Sequence, residues 1–264
     1  MSPPRPQRTS SPRAAPLAWG LPWDPPLAVV IPARNEATRL PALLADLALA
    51  PELVREIWVV DGGSADGTAT AADLAGARLL RRPANRGAQL RAGIAASTAP
   101  WLWLLHADGR LPVGWPRAVA RAIAAGPERC WTFDLAIADP WPALRLVEAL
   151  VACRTRLFQL PYGDQGLLVS RQALQRVGGV APIPLMEDLD LVLRLRAALP
   201  IRVLPGRFRV DGRRWRRLGV VRVSWSNARL RRAWRRGENP WRLAERYGAY
   251  QKAQRRCCGS NSQP

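Results

Sequence analysis

The sequence has no long apolar run. Although 48% of its 264 residues are hydrophobic, they lie in short stretches, and none approaches the ~18 apolar residues that cross a bilayer. The first residues also lack the apolar core of a secretory signal. We therefore expect a cytoplasmic protein, which would contact the inner face of the membrane only as a peripheral protein.

Cysteine is scarce, and the glycine loops of common nucleotide-binding proteins are missing. The four cysteines, two of them adjacent near the C-terminus, lack metal-finger spacing and imply no disulfide framework. The spaced Gly-x-Gly-x-x-Gly of dinucleotide-binding folds is absent, and so is the Gly-Lys-Ser/Thr of a phosphate loop. Both classes of nucleotide-binding protein are therefore disfavoured.

Positive charge is unevenly distributed along the chain. The net charge of +20 is typical of a nucleic-acid-binding protein, but residues 27–201 carry 19 arginines against 16 acids. Residues 202–264 carry 18 basic residues against 3 acids. The anionic partner of the C-terminal region is therefore a separate question from the chemistry of the body.

Composition divides the chain into four parts. Residues 1–26 are dense in Pro, Ser and Arg, have no apolar period and are predicted to be disordered. Residues 27–212 are predicted to form a single α/β domain with a mostly parallel sheet and helices on both faces. Residues 213–256 are predicted to form a basic helical extension, and residues 257–264 a disordered tail.

Three apolar runs, 27–31, 57–60 and 101–105, are predicted to be buried strands that end in polar residues. Those residues are Arg34 and Glu36 after the first run, Asp61 after the second, and His106 and Asp108 after the third. Ligands of open α/β sheets bind at the carboxyl ends of the strands, so these residues predict a site for a nucleotide or a metal ion. Arg34 and Glu36 could hold a base or a ribose. Each position is also explained as a simple turn or helix cap.

A further turn, at residues 85–87, opens a helix. Its backbone amides, with Arg86 and Arg91 close by, predict a diphosphate contact that involves Asn85, Gly87 and Arg91, because helix N-termini bind phosphate. A solvated, basic helix start explains the same residues equally well.

The order of these motifs resembles a known family. The motifs are Val30-Ile31-Pro32-Ala33-Arg34-Asn35-Glu36, Asp61-Gly62-Gly63-Ser64, Asn85-Arg86-Gly87 and Leu105-His106-Ala107-Asp108. Over roughly residues 27–220 they look like the family 2 glycosyltransferases of the GT-A fold. Many members carry Asp-x-Asp where this chain has His106 and Asp108. A small bacterial branch has His-Ala-Asp, and this sequence is similar to that branch throughout.

The resemblance implies roles for the residues at the strand ends. Pro32, Glu36 and Asp61 would contact the nucleoside of a sugar nucleotide. Asp108 would bind Mn²⁺ or Mg²⁺ on the diphosphate, and this ion would offset the charge of the departing group. For His106 three roles stay open: a metal ligand, a residue that orients the ligand, or a simple strand-end residue.

The acceptor side is carried over from the same resemblance. The loop at 162–166, with Asp164 and Gln165, resembles the family's loop beside the acceptor pocket. Glu187 and Asp188 open a predicted helix, and the family's general base is the Asp of such a pair, which is Asp188 here. Acids in a first helical turn are also favoured by the helix dipole alone.

The last motif, Arg213-Arg214-Trp215, resembles a family motif that lies against the diphosphate and the acceptor. Which arginine points inward stays open, because Asp211-Gly212 stands where small hydroxyl residues are expected. Beyond it, a predicted basic helical region carries Trp225, Trp234 and Trp241. Packing on the body, an anionic membrane surface and a polyanion all fit its composition.

The predicted activity is metal-dependent, inverting transfer of a sugar from a nucleotide-sugar donor to a hydroxyl acceptor. A nucleotidyltransferase is the nearest alternative, but residues 32–36 are not the Gly-rich basic loop expected after its first strand. A nucleic-acid-binding protein acting through residues 202–256 is the alternative from another class, although nucleic acid is the less expected partner.

Overall fold

The structure, a computed structural model, describes residues 26–248 except for the side chain of Arg214. Most of the predicted disordered N-terminus (1–26), the end of the predicted extension (213–256) and all of the predicted tail (257–264) lie outside the described residues. The strands are β1 (Leu27–Ala33), β2 (Val54–Asp61), β3 (Arg78–Arg81), β4 (Trp101–Leu104), β5 (Gly109–Arg110), β6 (Cys130–Ala138), β7 (Leu167–Ser170) and β8 (Ile201–Asp211).

Helices alternate with the strands along the chain. They are α1 (Leu40–Leu47), α2 (Thr68–Leu74), α3 (Arg86–Ala96), α4 (Trp115–Ala124), α5 (Pro142–Phe158), α6 (Arg171–Arg176), α7 (Glu187–Ala198), α8 (Arg213–Leu218) and α9 (Val220–Arg235). A 3-10 turn covers Gly163–Gln165, and residues 240–248 are helical as well. Within residues 26–248, none of the helices combines the length and the apolar character that a membrane span requires.

The strands form one sheet in the order β3-β2-β1-β4-β7-β6-β8-β5. The pairs β1–β2, β2–β3, β1–β4 and β6–β8 are parallel, whereas β4–β7, β6–β7 and β5–β8 are antiparallel. Because β2 and β4 lie on opposite sides of β1, the order of the strands reverses at this point. The carboxyl ends of β1 and β4 therefore open a crevice where ligands of α/β sheets bind.

Strand β1 is buried on both faces, as its apolar run predicts. Leu27, Val29 and Ile31 belong to one hydrophobic cluster, and Ala28 and Val30 belong to another. Alternate residues of a strand point to opposite faces, so the sheet has a core on each side. Helices α1 and α4 pack on the first face, and α3, α6 and α7 on the second. Each buried Leu, Ile or Val contributes roughly 1.5–3 kcal/mol to stability.

The last two sheet pairings go beyond what the sequence predicts. The apolar run 201–204 predicts a short strand, but β8 continues beyond Pro205 and Gly206 because it pairs with β6 on both sides of an irregularity there. The two-residue strand β5 follows Asp108 and pairs with β8, Gly109 lying opposite Val210. A Cβ on Gly109 would lie 1.9 Å from Cζ of Phe208, so only glycine fits there.

Candidate active site

A cavity of about 340 Å³ opens at the carboxyl end of β4. It lies between the loop after β4, the turn at 163–165, the start of α7, the end of β8 and helices α8 and α9. Its charged and aromatic lining consists of Arg86, His106, Asp108, Tyr162, Asp164, Asp188, Asp211, Arg213, Trp215, Arg231 and Tyr247. Four carboxylates from distant parts of the sequence therefore face one space.

The turn after β4 brings His106 and Asp108 to the cavity. Burial lowers the pKa of His106 to about 3, and the charge of Arg86 acts in the same direction. The imidazole is therefore neutral at neutral pH. Burial raises the pKa of Asp108, while the charge of Arg86 opposes this shift. Arg86 therefore helps to keep Asp108 ionised.

Asp188, the second residue of α7, is held by two backbone amides. Its Oδ2 accepts a hydrogen bond from the Gly163 amide at 2.8 Å, and its Oδ1 accepts one from the Leu189 amide at 2.7 Å. A Cβ on Gly163 would lie 2.6 Å from Nε2 of His106 and 3.2 Å from Oδ2 of Asp188. Only glycine lets the loop pass between these two side chains.

Arg86 connects α3 to α7 at the edge of the cavity. Its Nη1 lies 3.3 Å from Oε1 of Glu187. Burial acts to lower the pKa of Arg86, but the charges of Glu187 and Asp188 raise it above its ordinary value. Burial raises the pKa of Glu187 to about 7, and Arg86 opposes the rise. Glu187, predicted on the acceptor side, is buried against Arg86 and does not line this cavity, but it lines a small adjoining cavity together with Asp188 and Gly163.

Asp164 lines the cavity, beside Tyr162. Burial raises the pKa of Asp164 to about 6, against the opposing charge of Arg154. Its Oδ1 is buried and has no hydrogen-bond partner within the described part of the chain. The guanidinium carbon of Arg154 lies 3.6 Å from the centre of the Tyr162 ring, and that of Arg231 lies 5.4 Å from it. These two cation–π contacts join α5 and α9 to the loop.

Gln165, predicted on the acceptor side, is fully buried and does not reach the cavity. Its Nε2 donates to the Phe133 carbonyl at 2.9 Å and to Thr155 Oγ1 at 3.0 Å, and its Oε1 accepts from Arg154 at 2.9 Å. Successive side chains of a 3-10 turn point in different directions, so Asp164 faces the cavity and Gln165 faces the core. Gln165 is a structural residue, which corrects the prediction.

The residues predicted to contact the nucleoside lie together at the ends of β1 and β2. Pro32 is in register with Val60, and Ala33 with Asp61. Asp61 accepts hydrogen bonds from the amide of Ser64, at 3.1 Å, and from its hydroxyl, so it stabilises the turn. Arg34 is exposed. The cavity wall does not include these residues or Glu36, which stand beside it.

Arg39 links this edge to the cavity, a role that the sequence did not indicate. It pairs with Glu36, and its Nε donates to Oδ2 of Asp211 at 2.8 Å. Burial raises the pKa of Glu36, Arg39 lowers it, and the charge of Asp108 raises it further. Glu36 is thus electrostatically coupled to the cavity. The link was not predictable because Arg39 and Asp211 lie 172 residues apart.

The Arg-Arg-Trp motif begins α8 at the cavity wall. Arg213 lines the cavity, and its amide donates to Oδ1 of Asp211 at 2.8 Å. Trp215 also lines the cavity and packs on the core. Arg216 turns elsewhere, to Asp139 at 2.6 Å. The side chain of Arg214 lies outside the described atoms, so Arg213 is the arginine of this motif that the structure places inward.

Three residues predicted at the diphosphate do not line the cavity. Asn85 caps α3 and donates to the Pro182 carbonyl at 3.0 Å, and the Gly87 amide donates to the Ile183 carbonyl at 3.2 Å. Arg91 is exposed on α3. The segment 181–183 covers the helix end that was predicted to bind phosphate. This corrects the prediction, and only Arg86 of that turn faces the cavity.

Two residues of the cavity wall, Asp108 and His106, are candidate ligands of a divalent cation. No group of three or more His, Cys, Asp or Glu side chains arranged to hold a metal occurs between residues 26 and 248. Mg²⁺ and similar ions commonly take one or two carboxylates from the protein and the remaining ligands from substrate phosphates and water. Asp108, with the neutral His106 beside it, supplies such a partial set.

Solved structures share this fold. The mannosyltransferase PcManGT from Pyrobaculum calidifontis, solved in complex with GDP-Man and Mn²⁺, gives a TM-score of 0.58 at 18% identity over 83% of this chain and 63% of that chain. TarS residues 1–349 from S. aureus gives 0.57 at 11% identity over 70% and 60%. The protein therefore has the GT-A glycosyltransferase fold, as the motifs predicted.

Sequence comparison finds similarity to glycosyltransferases over part of the chain. Residues 28–142 match the model of glycosyl transferase family 2. Uncharacterised glycosyltransferases of Mycobacterium tuberculosis and Mycobacterium bovis are 39% identical over 94 residues, which is 35% of this chain and 41% of each relative. The alignment thus spans about two fifths of the length of these curated relatives. Over the matched residues the chain is similar to glycosyltransferase family 2.

Proposed function

We propose that this protein transfers a sugar from a nucleotide-diphosphate sugar to a hydroxyl acceptor, with inversion at the anomeric carbon. One observation carries the proposal: Asp108 at the end of β4 and Asp188 at the start of α7 line the same cavity. A donor whose diphosphate lies at Asp108 would thus present its sugar toward Asp188.

Asp188 acts as the general base in this proposal. An acceptor hydroxyl must lose its proton as it attacks, and a fixed carboxylate within reach can take it. The two amide hydrogen bonds from Gly163 and Leu189 hold that carboxylate in one orientation. Attack from the side of the base, opposite the leaving diphosphate, inverts the configuration and requires no covalent intermediate.

Asp108 holds Mn²⁺ or Mg²⁺ in this proposal, with His106 as a second ligand. The ion supplies positive charge that offsets the charge developing on the leaving diphosphate. Arg86 and Arg213, which line the same cavity, add positive charge that does not depend on the ion. Pro32, Glu36 and Asp61 form the edge on which the nucleoside lies, connected to the cavity through Arg39.

The acceptor enters beside Asp164, Tyr162 and α9. Asn227, Leu230 and Arg231 of α9 line the cavity together with Tyr247. A wall with carboxylate, amide and phenol groups suits a polyhydroxylated acceptor, whose hydroxyls donate and accept hydrogen bonds.

Replacing Asp188 and Asp108 separately tests the proposal. Asp188→Asn keeps the size of the side chain but removes its basicity, so turnover is expected to fall by roughly 10²–10⁴ while donor affinity is retained. Asp108→Ala is expected to abolish the part of donor affinity that depends on Mn²⁺. Release of nucleoside diphosphate from UDP- and GDP-sugars measures turnover, and calorimetry with and without a chelator measures binding.

Asp190→Asn is the matched control, because Asp190 lies on the same turn of α7 but pairs with Arg194 at 2.5 Å. It should leave both turnover and donor affinity near the wild-type values. Normal turnover in Asp188→Asn would rule out the base, and unchanged metal dependence in Asp108→Ala would place the ion elsewhere.

A further inference from the structure

Helix α5 packs a mixed face on the core: Leu144 is buried there, and Val147 and Val151 pack beside it. Its buried side includes Glu148 and Thr155, which are 4% and 1% exposed. Glu148 accepts a hydrogen bond from the Ile137 amide at 2.6 Å, and Thr155 bonds to Gln165. A surface helix of a globular protein normally buries an apolar stripe and exposes polar residues. In α5 two polar residues take up part of the buried face, and several large apolar residues lie on the outer face.

Three leucines on the outer face of α5 form an exposed stripe. Leu146, Leu150 and Leu157 are 64%, 62% and 70% exposed, and Cys153 between them is exposed too. At 3.6 residues per turn, these four positions fall on one face of the helix. Phe158 extends the exposed apolar surface at its end. An exposed apolar patch of this kind is typical of an interaction surface.

Helix α9 contacts α5 and exposes apolar and basic residues together. Val221 and Trp225 are 82% and 60% exposed. Arg232 and Arg235 are exposed on the same face of the helix. Of the other tryptophans predicted to contact a membrane, Trp241 is exposed, whereas Trp234 packs against the core. The outer faces of α5 and α9 are called the α5–α9 surface below.

The basic side of α9 contains two clefts, of about 290 and 230 Å³, against residues 238–247. Their charged lining consists of Arg222, Arg229, Arg232, Arg236, Arg246 and one acid, Glu238. Arg229 also lies over the Trp225 ring, 4.5 Å from its centre. Arginine beside tryptophan at an exposed site suits a boundary where an apolar layer meets anionic groups.

We propose that the α5–α9 surface binds the anionic surface of a lipid bilayer. The leucines of α5 with Trp225 would enter the boundary between head groups and acyl chains, and the arginines of α9 would contact lipid phosphates. A second copy of the chain fits less well, because a symmetric contact would bring two arginine-rich faces together. This inference does not depend on the proposed sugar transfer.

The inner side of α9 connects the α5–α9 surface to the active-site cavity. Asn227 and Arg231 line the active-site cavity, while Trp225 faces outward two residues earlier. Arg154 of α5 and Arg231 of α9 also lie near the ring of the same residue, Tyr162, at the cavity wall. Docking would therefore hold the cavity beside the membrane.

Co-sedimentation of the full chain with lipid vesicles tests the inference. We expect binding to phosphatidylcholine vesicles that contain about one third phosphatidylglycerol, no binding to phosphatidylcholine alone, and release by added salt. Leu146→Gln with Leu150→Gln should reduce the partition coefficient at least roughly tenfold, since two leucines leave the apolar layer. The matched control is Leu49→Gln with Leu74→Gln, two leucines as exposed as these but outside the α5–α9 surface.

The contribution of the α9 arginines to binding is tested with the same sedimentation assay. Arg232→Gln with Arg235→Gln should weaken binding by roughly tenfold or more and flatten its salt dependence. Arg117→Gln with Arg121→Gln removes the same net charge from two exposed positions of α4 and should change binding much less. Equal losses for the two arginine pairs would show attraction by overall charge only and would overturn the docking surface.

A fluorescent probe locates the contact. Cys153 is exposed and Cys130 is buried, so an environment-sensitive dye labels Cys153 once Cys257 and Cys258 are replaced by Ser. Its emission should shift to the blue when anionic vesicles are added. Absence of both sedimentation and shift would overturn the inference. The same result would follow if ultracentrifugation showed a dimer that Leu146→Gln with Leu150→Gln dissolves and that does not bind vesicles.

Discussion

Gly163 has no room for a side chain, because it lies between the side chains of His106 and Asp188. Gly163→Ala would place a methyl carbon 2.6 Å from Nε2 of His106. One side chain or the loop must move, and a shift of about 1 Å at a reacting group costs roughly 10²-fold in rate. We expect turnover to fall by about that factor, as measured with the most active donor.

Gly248→Ala is the control for this change, since a Cβ at Gly248 meets no atom within 4 Å. Its turnover should equal that of the wild type. If Gly163→Ala were as active as the wild type, the contact between the loop and Asp188 would have no part in catalysis.

Asp164 gives a prediction about pH at the same scale. Its folded-state pKa is raised from 3.8 to about 6 by burial. The folded state therefore holds the proton more tightly, and the resulting stability is fully present below about pH 4 and is lost as the pH rises through 6. Asp164→Asn, which has no charge to bury, should gain stability relative to the wild type over this window, on the order of 2 kcal/mol.

Urea unfolding of the metal-free protein between pH 4 and 8 measures this difference. The gain should be near zero at pH 4 and constant above pH 7. Asp190→Asn, whose carboxylate is partly exposed, should show no comparable rise. A gain in Asp164→Asn that is independent of pH would mean that packing, and not ionisation, is responsible.

At the scale of elements, α3 and α7 meet through one buried ion pair. Arg86 lies on the first and Glu187 on the second, and the pKa of Glu187 is about 7. Below that pH Glu187 is protonated and the pair is absent. In a cycle of Arg86→Met, Glu187→Gln and the double variant, we expect a coupling energy of about 1–3 kcal/mol at pH 8 and a much smaller one at pH 5.

Denaturant unfolding at the two pH values gives the coupling energy. The pair Arg176 and Glu128, both largely exposed at 3.4 Å, is the control and should couple by less than about 1 kcal/mol at either pH. Equal coupling of Arg86 and Glu187 at pH 5 and 8 would contradict the raised pKa of Glu187.

The elements show where sequence reasoning succeeds and where it stops. Strands β1, β2 and β4 were predictable because an unbroken apolar run is a local signal of a strand buried on both faces. The burial of two polar residues of α5 was not predictable. These residues, Glu148 and Thr155, are bound by Ile137 and Gln165, and those partners are fixed only by the folded sheet.

The candidate site was likewise predictable only in part. Asp108 and Asp188 could be placed at a common rim from motif order, and the structure puts them in one cavity. The inward orientation of Gln165 and the covering of the Gly87 amide were not predictable. A loop residue faces the core or the ligand according to what packs against it. The covering segment 181–183 and the partner Phe133 come from distant parts of the chain.

At the scale of the whole molecule, binding of the donor should raise the free energy of unfolding and the Tm. A donor at one hundred times its dissociation constant adds about 2.7 kcal/mol, which raises the Tm of a domain of this size by about 5–10 °C. We expect that shift with nucleotide sugars and Mn²⁺, and a smaller one without the ion. In Asp108→Ala the two shifts should be equal. Nucleotide sugars that leave the Tm unchanged under both conditions would contradict the proposed function.

The short strand β5 has a consequence for how the molecule meets its donor. It begins at the residue after Asp108, it is fixed by pairing with β8, and the Phe208 ring closes the space above Gly109. The bend that carries Asp108 thus loses its chain entropy when the sheet forms, before any nucleotide arrives. An incoming ion and its diphosphate would find a carboxylate that is already in place, and association would not wait for that bend to order.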